Sequence, residues 1–213
     1  MVRKFRKANS IIKLKRFVYL ISPKYINNLF FKNLNEVLSS KKVKYFQIRL
    51  KNKSKKSVIK EAKKIQKITK KYKVKLIIND SIEIASKVNA DGCHLGQKDD
   101  PIAQAKKILK KKLLGVTCHN SKRLCKDAVR FNADYVAFGS FFKSKSKPYA
   151  IKANISILRW AKKNVKKKIV AIGGINSGNY KKLINAGANY IAISSYIWNN
   201  PKFKPKDAIS KFI

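Results

Sequence analysis

Acidic side chains are scarce in this chain. Only 10 Asp and Glu stand against 52 Lys and Arg, a formal charge of +42 at pH 7. A carboxylate is therefore conspicuous wherever it falls. Long hydrophobic runs are missing too: no apolar stretch approaches the ~18 residues of a membrane-spanning helix, so no span is expected. The 3 cysteines are an odd number with no secretory signal, which argues against a disulfide framework and for reduced thiols in the cytoplasm. No linker or low-complexity tract divides the 213 residues, a length that fits one domain with a sizeable core.

The positive excess raises nucleic acid or an anionic membrane surface as partners. The lysines, however, are spread along every helical stretch, as between Ser54 and Tyr72, and are not gathered in one arm or helix. Together with abundant Asn and Ile this fits compositional drift, and no specific nucleic-acid partner is expected. Residues 1–16 are basic and free of acids, and read as an N-terminal extension ahead of a domain at 17–213, not as a targeting segment.

The rest of the chain alternates. Phe17–Ile21 is a strand-sized apolar run closed by Ser22-Pro23, and Asn27–Ser39 has helical spacing. Strands are expected at Tyr45–Leu50, Val74–Ile78, Gly92–Leu95, Leu113–Thr117, Asp134–Gly139, Lys168–Ile172 and Asn189–Ile193. Between them lie helical stretches, including 82–88, 101–109, 121–131 and 155–164, and an irregular lysine-rich loop at 140–150 that is placed to act as a lid. Eight strand–helix alternations in this length imply an α/β fold, a single (β/α)8 TIM barrel. An open nucleotide-binding sheet would need a glycine fingerprint after its first strand, and Ser22-Pro23-Lys24 supplies none.

Chemistry in such barrels sits at the C-terminal strand ends. Read there, the sequence offers Gln47, Arg49, Lys51, Asn79, Asp80, His94, Gln97, Asp99, Thr117, His119, Ser144, Ser146, Lys147, Gly173, Gly174 and Ser194. Asp80 and Asp99 follow neighbouring strands and suit magnesium, which takes one or two carboxylates plus waters and substrate phosphates. Asp80 could instead only cap the helix at Ile82. Gly173-Gly174, with Ile193-Ser194 after the next strand, matches the usual barrel phosphate cradle. Arg49, Lys51 and Lys147 would surround a diphosphate, the arginine as a fork and the lysines as point charges. Cys93-His94 and Cys118-His119 look like a zinc set, but adjacent strand residues face opposite sides of the sheet. A Cys118–His94 nucleophilic pair has nothing in the sequence to orient it.

At these strand ends the sequence resembles the thiamine-phosphate synthase family. The motifs are Gln47-Ile48-Arg49-Leu50-Lys51, Leu76-Ile77-Ile78-Asn79-Asp80 and the run from Ala90 to Asp99 that contains His94-Leu95-Gly96-Gln97. Gly115-Val116-Thr117, Ser144-Lys145-Ser146-Lys147, Ala171-Ile172-Gly173-Gly174-Ile175 and Ile193-Ser194 continue it in order. The resemblance implies that Gln47, Arg49, Lys51, Asn79 and Lys147 bind a pyrimidine diphosphate and that Asp80 and Asp99 hold Mg2+ on it. It places Thr117 where the family usually has a serine near the pyrimidine. Ser144 and Ser146 stand for threonines contacting the thiazole phosphate, with Gly173, Gly174, Ile193 and Ser194 completing that cradle. Ser140 and Lys143 replace the family's prolines in the sixth-strand loop.

The activity implied is condensation of the two heterocycles with release of pyrophosphate, by a dissociative substitution in which no side chain is the nucleophile. Two rivals remain at this stage. A related thiazole tautomerase would need a general acid/base, for which His119 is available. A non-catalytic barrel would use its basic surface to hold anions or nucleic acid.

Overall fold

The structure, a computed structural model, describes residues 16–143 and 152–213. The strands are β1 (Val18–Ile21), β2 (Val43–Ile48), β3 (Lys75–Asn79), β4 (Gly92–Leu95), β5 (Leu113–His119), β6 (Tyr135–Phe138), β7 (Lys168–Ile172) and β8 (Tyr190–Ile193). The helices are α1 (Asn28–Ser39), α2 (Lys55–Lys71), α3 (Ile82–Lys87), α4 (Ile102–Leu109), α5 (Lys122–Arg130), α6 (Ser156–Asn164), α7 (Tyr180–Asn185), α8 (Ser195–Trp198) and α9 (Pro205–Ser210). Every strand pairs in parallel with its sequence neighbours, and β8 returns to β1, closing the barrel. This is the (β/α)8 barrel expected from the alternation.

Local chemistry sets the helix starts. Asn27, Ser54, Ser81 and Ser121 each turn a side-chain oxygen onto the N–H three residues on, satisfying a donor that has no intrahelical partner. Each helix then buries an aliphatic stripe, such as Val58, Ala62 and Ile65 of α2, against the outside of the barrel. The lysines fall on the opposite, solvated face.

Strand alternation sends one residue set outward into this large shell and the next inward. The inward set is unusual for a barrel of this kind. Branched aliphatics normally fill the interior, whereas here Tyr19, Tyr45 and Tyr135 are buried together with Tyr190 packed against them. Tyr45 stacks on Tyr135 with centroids 5.8 Å apart, and Tyr190 meets Tyr45 edge-on at 5.0 Å. Gly115 makes room: a Cβ there would lie 1.9 Å from Cζ of Tyr135.

Three details differ from the sequence reading. β2 begins and ends two residues early, so Arg49 and Lys51 lie in the loop beyond it, while β5 runs on to His119. The helices α8 and α9 are too short to carry a periodic signal, yet they bury Ile197, Ala208 and Ile209, and Phe212 just beyond α9 is buried too. Of the basic extension expected at 1–16, only Arg16 is among the described residues; it donates to the carbonyl of Lys73 at 2.6 Å.

Candidate active site

The first half of the barrel mouth is stitched together by short polar contacts. Gln47, 3% exposed at the end of β2, is paired between Ile21 and Ile77. Its carbonyl accepts from the N–H of Ser22 at 2.9 Å, and the Ser22 hydroxyl accepts from the N–H of Arg49 at 2.9 Å. The loop after β1 thus fixes the path of Arg49 and Lys51. Lys51 then reaches Asp80, Nζ to Oδ2, at 3.3 Å.

Asp80 does not cap α3. Ser81 does that, accepting from the N–H of Ile84 at 3.2 Å. Asp80 instead adopts a left-handed backbone, φ 65°, with its N–H on the carbonyl of His94 at 2.8 Å. A non-glycine residue held there is uncommon, and the effect is to free the carboxylate for other use. Asp99 is anchored by the N–H of Gly96, which it accepts at 2.6 Å. Burial pushes the Asp99 carboxyl above its ordinary value; the Gly96 N–H opposes this, and the adjoining Asp80 carboxylate raises it further. The two acids that sequence reasoning placed in one mouth therefore feel each other. Beside them, Lys51, Lys53, Asn79 and Asp80 line a pocket of about 330 Å³ with an apolar wall of Ile48 and Leu50. Lys53 was not singled out from the sequence, where nothing separates it from the other lysines.

On the opposite side of the mouth, Gly173 (φ 106°) and Gly174 (φ 61°) turn β7 into its loop. A Cβ on Gly173 would lie 2.0 Å from Oγ of Ser140, and one on Gly174 would lie 2.3 Å from the carbonyl oxygen of Lys143. Both conformation and crowding demand glycine. Their carbonyls accept from the N–H of Phe142 and from Nδ2 of Asn179. Ser194 bridges from the end of β8 to the carbonyl of Ser22 at 3.1 Å, and α8 begins at the next residue. Ser144, Ser146 and Lys147, and with them most of the expected lid, lie outside the described residues.

The cysteines behave as structure. Cys93, Cys118 and Cys125 are buried, and burial pushes the Cys93 thiol up to about 12, which removes it as a metal ligand or nucleophile. Cys93 lies in the outer shell, whereas His94 stacks on Tyr135 inside the barrel with centroids 5.6 Å apart. The two thus face opposite ways, as the pleat requires. His119 is exposed at the end of β5.

Residues 18–197 match the family model described as thiamine monophosphate synthase. The chain belongs to that family. It is 52% identical over 198 residues to the thiamine-phosphate synthase of Pelagibacter ubique, covering 92% of this chain and 96% of the relative. To the thiamine-phosphate synthase of Erythrobacter litoralis it is 37% identical over 187 residues, covering 85% and 88%. Among solved structures, thiamine phosphate pyrophosphorylase from Pyrococcus furiosus superposes with a TM-score of 0.82 at 26% identity, over 93% of this chain and 94% of that one. Within this family's frame, the features that sequence reasoning did not foresee are Lys53 and the tyrosine-filled interior beneath Thr117. The tyrosines had a signal, an inward-facing aromatic in each of β1, β2, β6 and β8, but strand propensity alone explains aromatics in strands.

Proposed function

We propose that the chain is a thiamine-phosphate synthase that joins a hydroxymethylpyrimidine diphosphate to a thiazole phosphate, releasing pyrophosphate. The observation that carries this is the convergence of Asp80, Asp99 and Lys51 at the mouth side where Gln47 lies one residue before the end of β2 and Asn79 ends β3. A tautomerase handles no diphosphate and has no use for that set.

In this reading Gln47, Asn79 and Thr117 seat the pyrimidine. Arg49, Lys51 and Lys147 take the diphosphate, and Gly173, Gly174, Ile193, Ser194, Ser144 and Ser146 take the thiazole phosphate. The donor set fits a hard divalent cation: two carboxylates meet, Asp99 pushed toward its protonated form first by burial and then by the Asp80 carboxylate, and a bound cation would supply the counter-charge. Asp80 and Asp99 would hold Mg2+, which when bound supplies positive charge to the leaving pyrophosphate. The side chains hold the diphosphate so that the C–O bond can break heterolytically, and they stabilise the departing anion. The methylene carbon is left as a cation stabilised by its pyrimidine, and the thiazole nitrogen, oriented by its bound phosphate, captures it. Three buried cysteines agree with work in the cytoplasm.

The test is direct. Purified protein incubated with both heterocycles and magnesium should form thiamine phosphate and pyrophosphate in equal amounts, followed by mass spectrometry. Interconversion of thiazole isomers without condensation would replace this reading with the tautomerase. A salt-dependent gel shift on RNA with neither activity would favour an anion-binding barrel.

A further inference from the structure

The interior tyrosines are connected to the mouth by one hydrogen-bonded chain. The hydroxyls of Tyr19 and Tyr135 lie 2.8 Å apart, and the Tyr135 hydroxyl is 3.1 Å from Nδ1 of His94. The other ring nitrogen, Nε2, is 2.9 Å from Oγ1 of Thr117. Thr117 is partly exposed, and Gln97 donates through Nε2 to its backbone carbonyl. The chain therefore runs from a fully buried phenol to the group that the proposed function sets against the pyrimidine.

Its polarity follows from counting hydrogens. Burial holds both phenols neutral, so each has one O–H to donate. If Thr117 donated to Nε2, then Nδ1–H would donate to Tyr135 and Tyr135 to Tyr19. The last hydrogen, on Tyr19, would be stranded in the barrel, because among the described residues its hydroxyl bonds Tyr135 alone. A buried donor without an acceptor costs about 1–3 kcal/mol. In the opposite sense Tyr19 donates to Tyr135, Tyr135 donates to Nδ1, and Nε2–H donates to Thr117. Every buried hydrogen is then used, and the spare one sits on the Thr117 hydroxyl at the mouth.

We propose that His94 is a positioning residue: its neutral Nε2–H tautomer, imposed by the Tyr19–Tyr135 pair, presents the Thr117 hydroxyl as a hydrogen-bond donor to an acceptor nitrogen of the substrate's heteroaromatic ring. The inference rests on the proposed function for the identity of that ring, and on the hydrogen bonds among Tyr19, Tyr135, His94 and Thr117 for the tautomer. It makes the barrel interior part of substrate selection: a ring with a lone pair facing Thr117 is accepted, and one with an N–H there meets a donor.

Two measurements test it. The chain has only 2 histidines, so the ring nitrogens of His94 can be assigned in a 15N NMR spectrum by comparison with His119→Gln. The expected spectrum shows His94 protonated at Nε2 and bare at Nδ1 at neutral pH; an Nδ1–H tautomer or an imidazolium overturns the proposal. In kinetics, His94→Leu should raise KM for the pyrimidine diphosphate about tenfold, the scale of one lost buried hydrogen bond, and leave KM for the thiazole phosphate unchanged. His94→Gln, whose amide restores a donor near the place of Nε2, should recover most of the loss. Adding His94→Leu to Thr117→Val should cost nothing further, since the bond is already gone. Equal rises in both KM values, or full additivity of the two substitutions, would make His94 merely structural. A wild-type chain that forms no thiamine phosphate would defeat the proposed function, while the ring spectrum would still decide the tautomer.

Discussion

Two pairs of aspartates sit at opposite ends of the same barrel and are treated oppositely. At the N-terminal end, Asp91 accepts from Nζ of Lys75 at 2.7 Å and from the N–H of Leu76 at 2.8 Å. Asp134 repeats the arrangement with Nζ of Lys106 and the N–H of Leu114, both at 2.8 Å. Each ties the start of one strand to the next and is satisfied by what the fold provides. At the C-terminal end, Asp80 and Asp99 adjoin one another, and among the described residues the ammonium paired with them is that of Lys51, 3.3 Å from Asp80. A chain with 52 basic residues had cations to spare for closing this pair. Leaving like charges together costs stability unless something else supplies the counter-charge. The contrast separates acids that hold the barrel from acids held ready by it.

Substitution at the mouth should show the largest effect. Asp80→Asn is expected to lower turnover by about a hundredfold or more, the scale of one lost electrostatic stabiliser, while the variant melts no lower than the parent. Steady-state rates beside a thermal melt check this, and a rate near wild type would erase the distinction between the two pairs. Magnesium should sharpen it next. At about 100 times its dissociation constant the ion should add about 2.7 kcal/mol to wild-type stability, and nothing to Asp80→Asn. Denaturant melts with and without magnesium read the difference.

The base of the barrel should answer in reverse. Asp134→Ala orphans the buried N–H of Leu114 and should cost about 1–3 kcal/mol, with kcat/KM unchanged. A loss of activity without a loss of stability would break the comparison. The smallest effect is in pH. Asp99 holds its proton more tightly folded than unfolded, so its contribution to stability is complete below about pH 3.9 and is lost as pH rises through the raised folded value. Without magnesium, wild type should therefore lose stability relative to Asp99→Asn across that window. Urea melts at stepped pH would show it, and parallel curves for the two proteins would contradict the raised Asp99 carboxyl, which burial and then the Asp80 carboxylate produce.

Much of the site was legible because strand ends are legible. β4 and β7 fall where hydrophobic runs between turn residues put them, and in a barrel such ends share one mouth. Asp80 and Asp99 could thus be paired across a helix and a strand from spacing alone. The boundary of β2 was less readable, since Arg49 and Lys51 continue an alternating pattern into the loop, and only the Ser22 contacts show where pairing stops. The role of Asp80 was open as well. A serine and an aspartate stand side by side before α3, either able to cap, and backbone geometry awards the task to Ser81.

The sequence by itself determined the alternation, the positions of the two glycines after β7 and the solvated lysine faces. Each depends on near neighbours along the chain, where periodicity and backbone preference act. Only the tertiary structure decided that Tyr19 from β1 and Tyr135 from β6 would meet, 116 residues apart, with His94 between them and Thr117. Barrel closure brings those inward positions to one axis, and no local pattern records which side chains will share it.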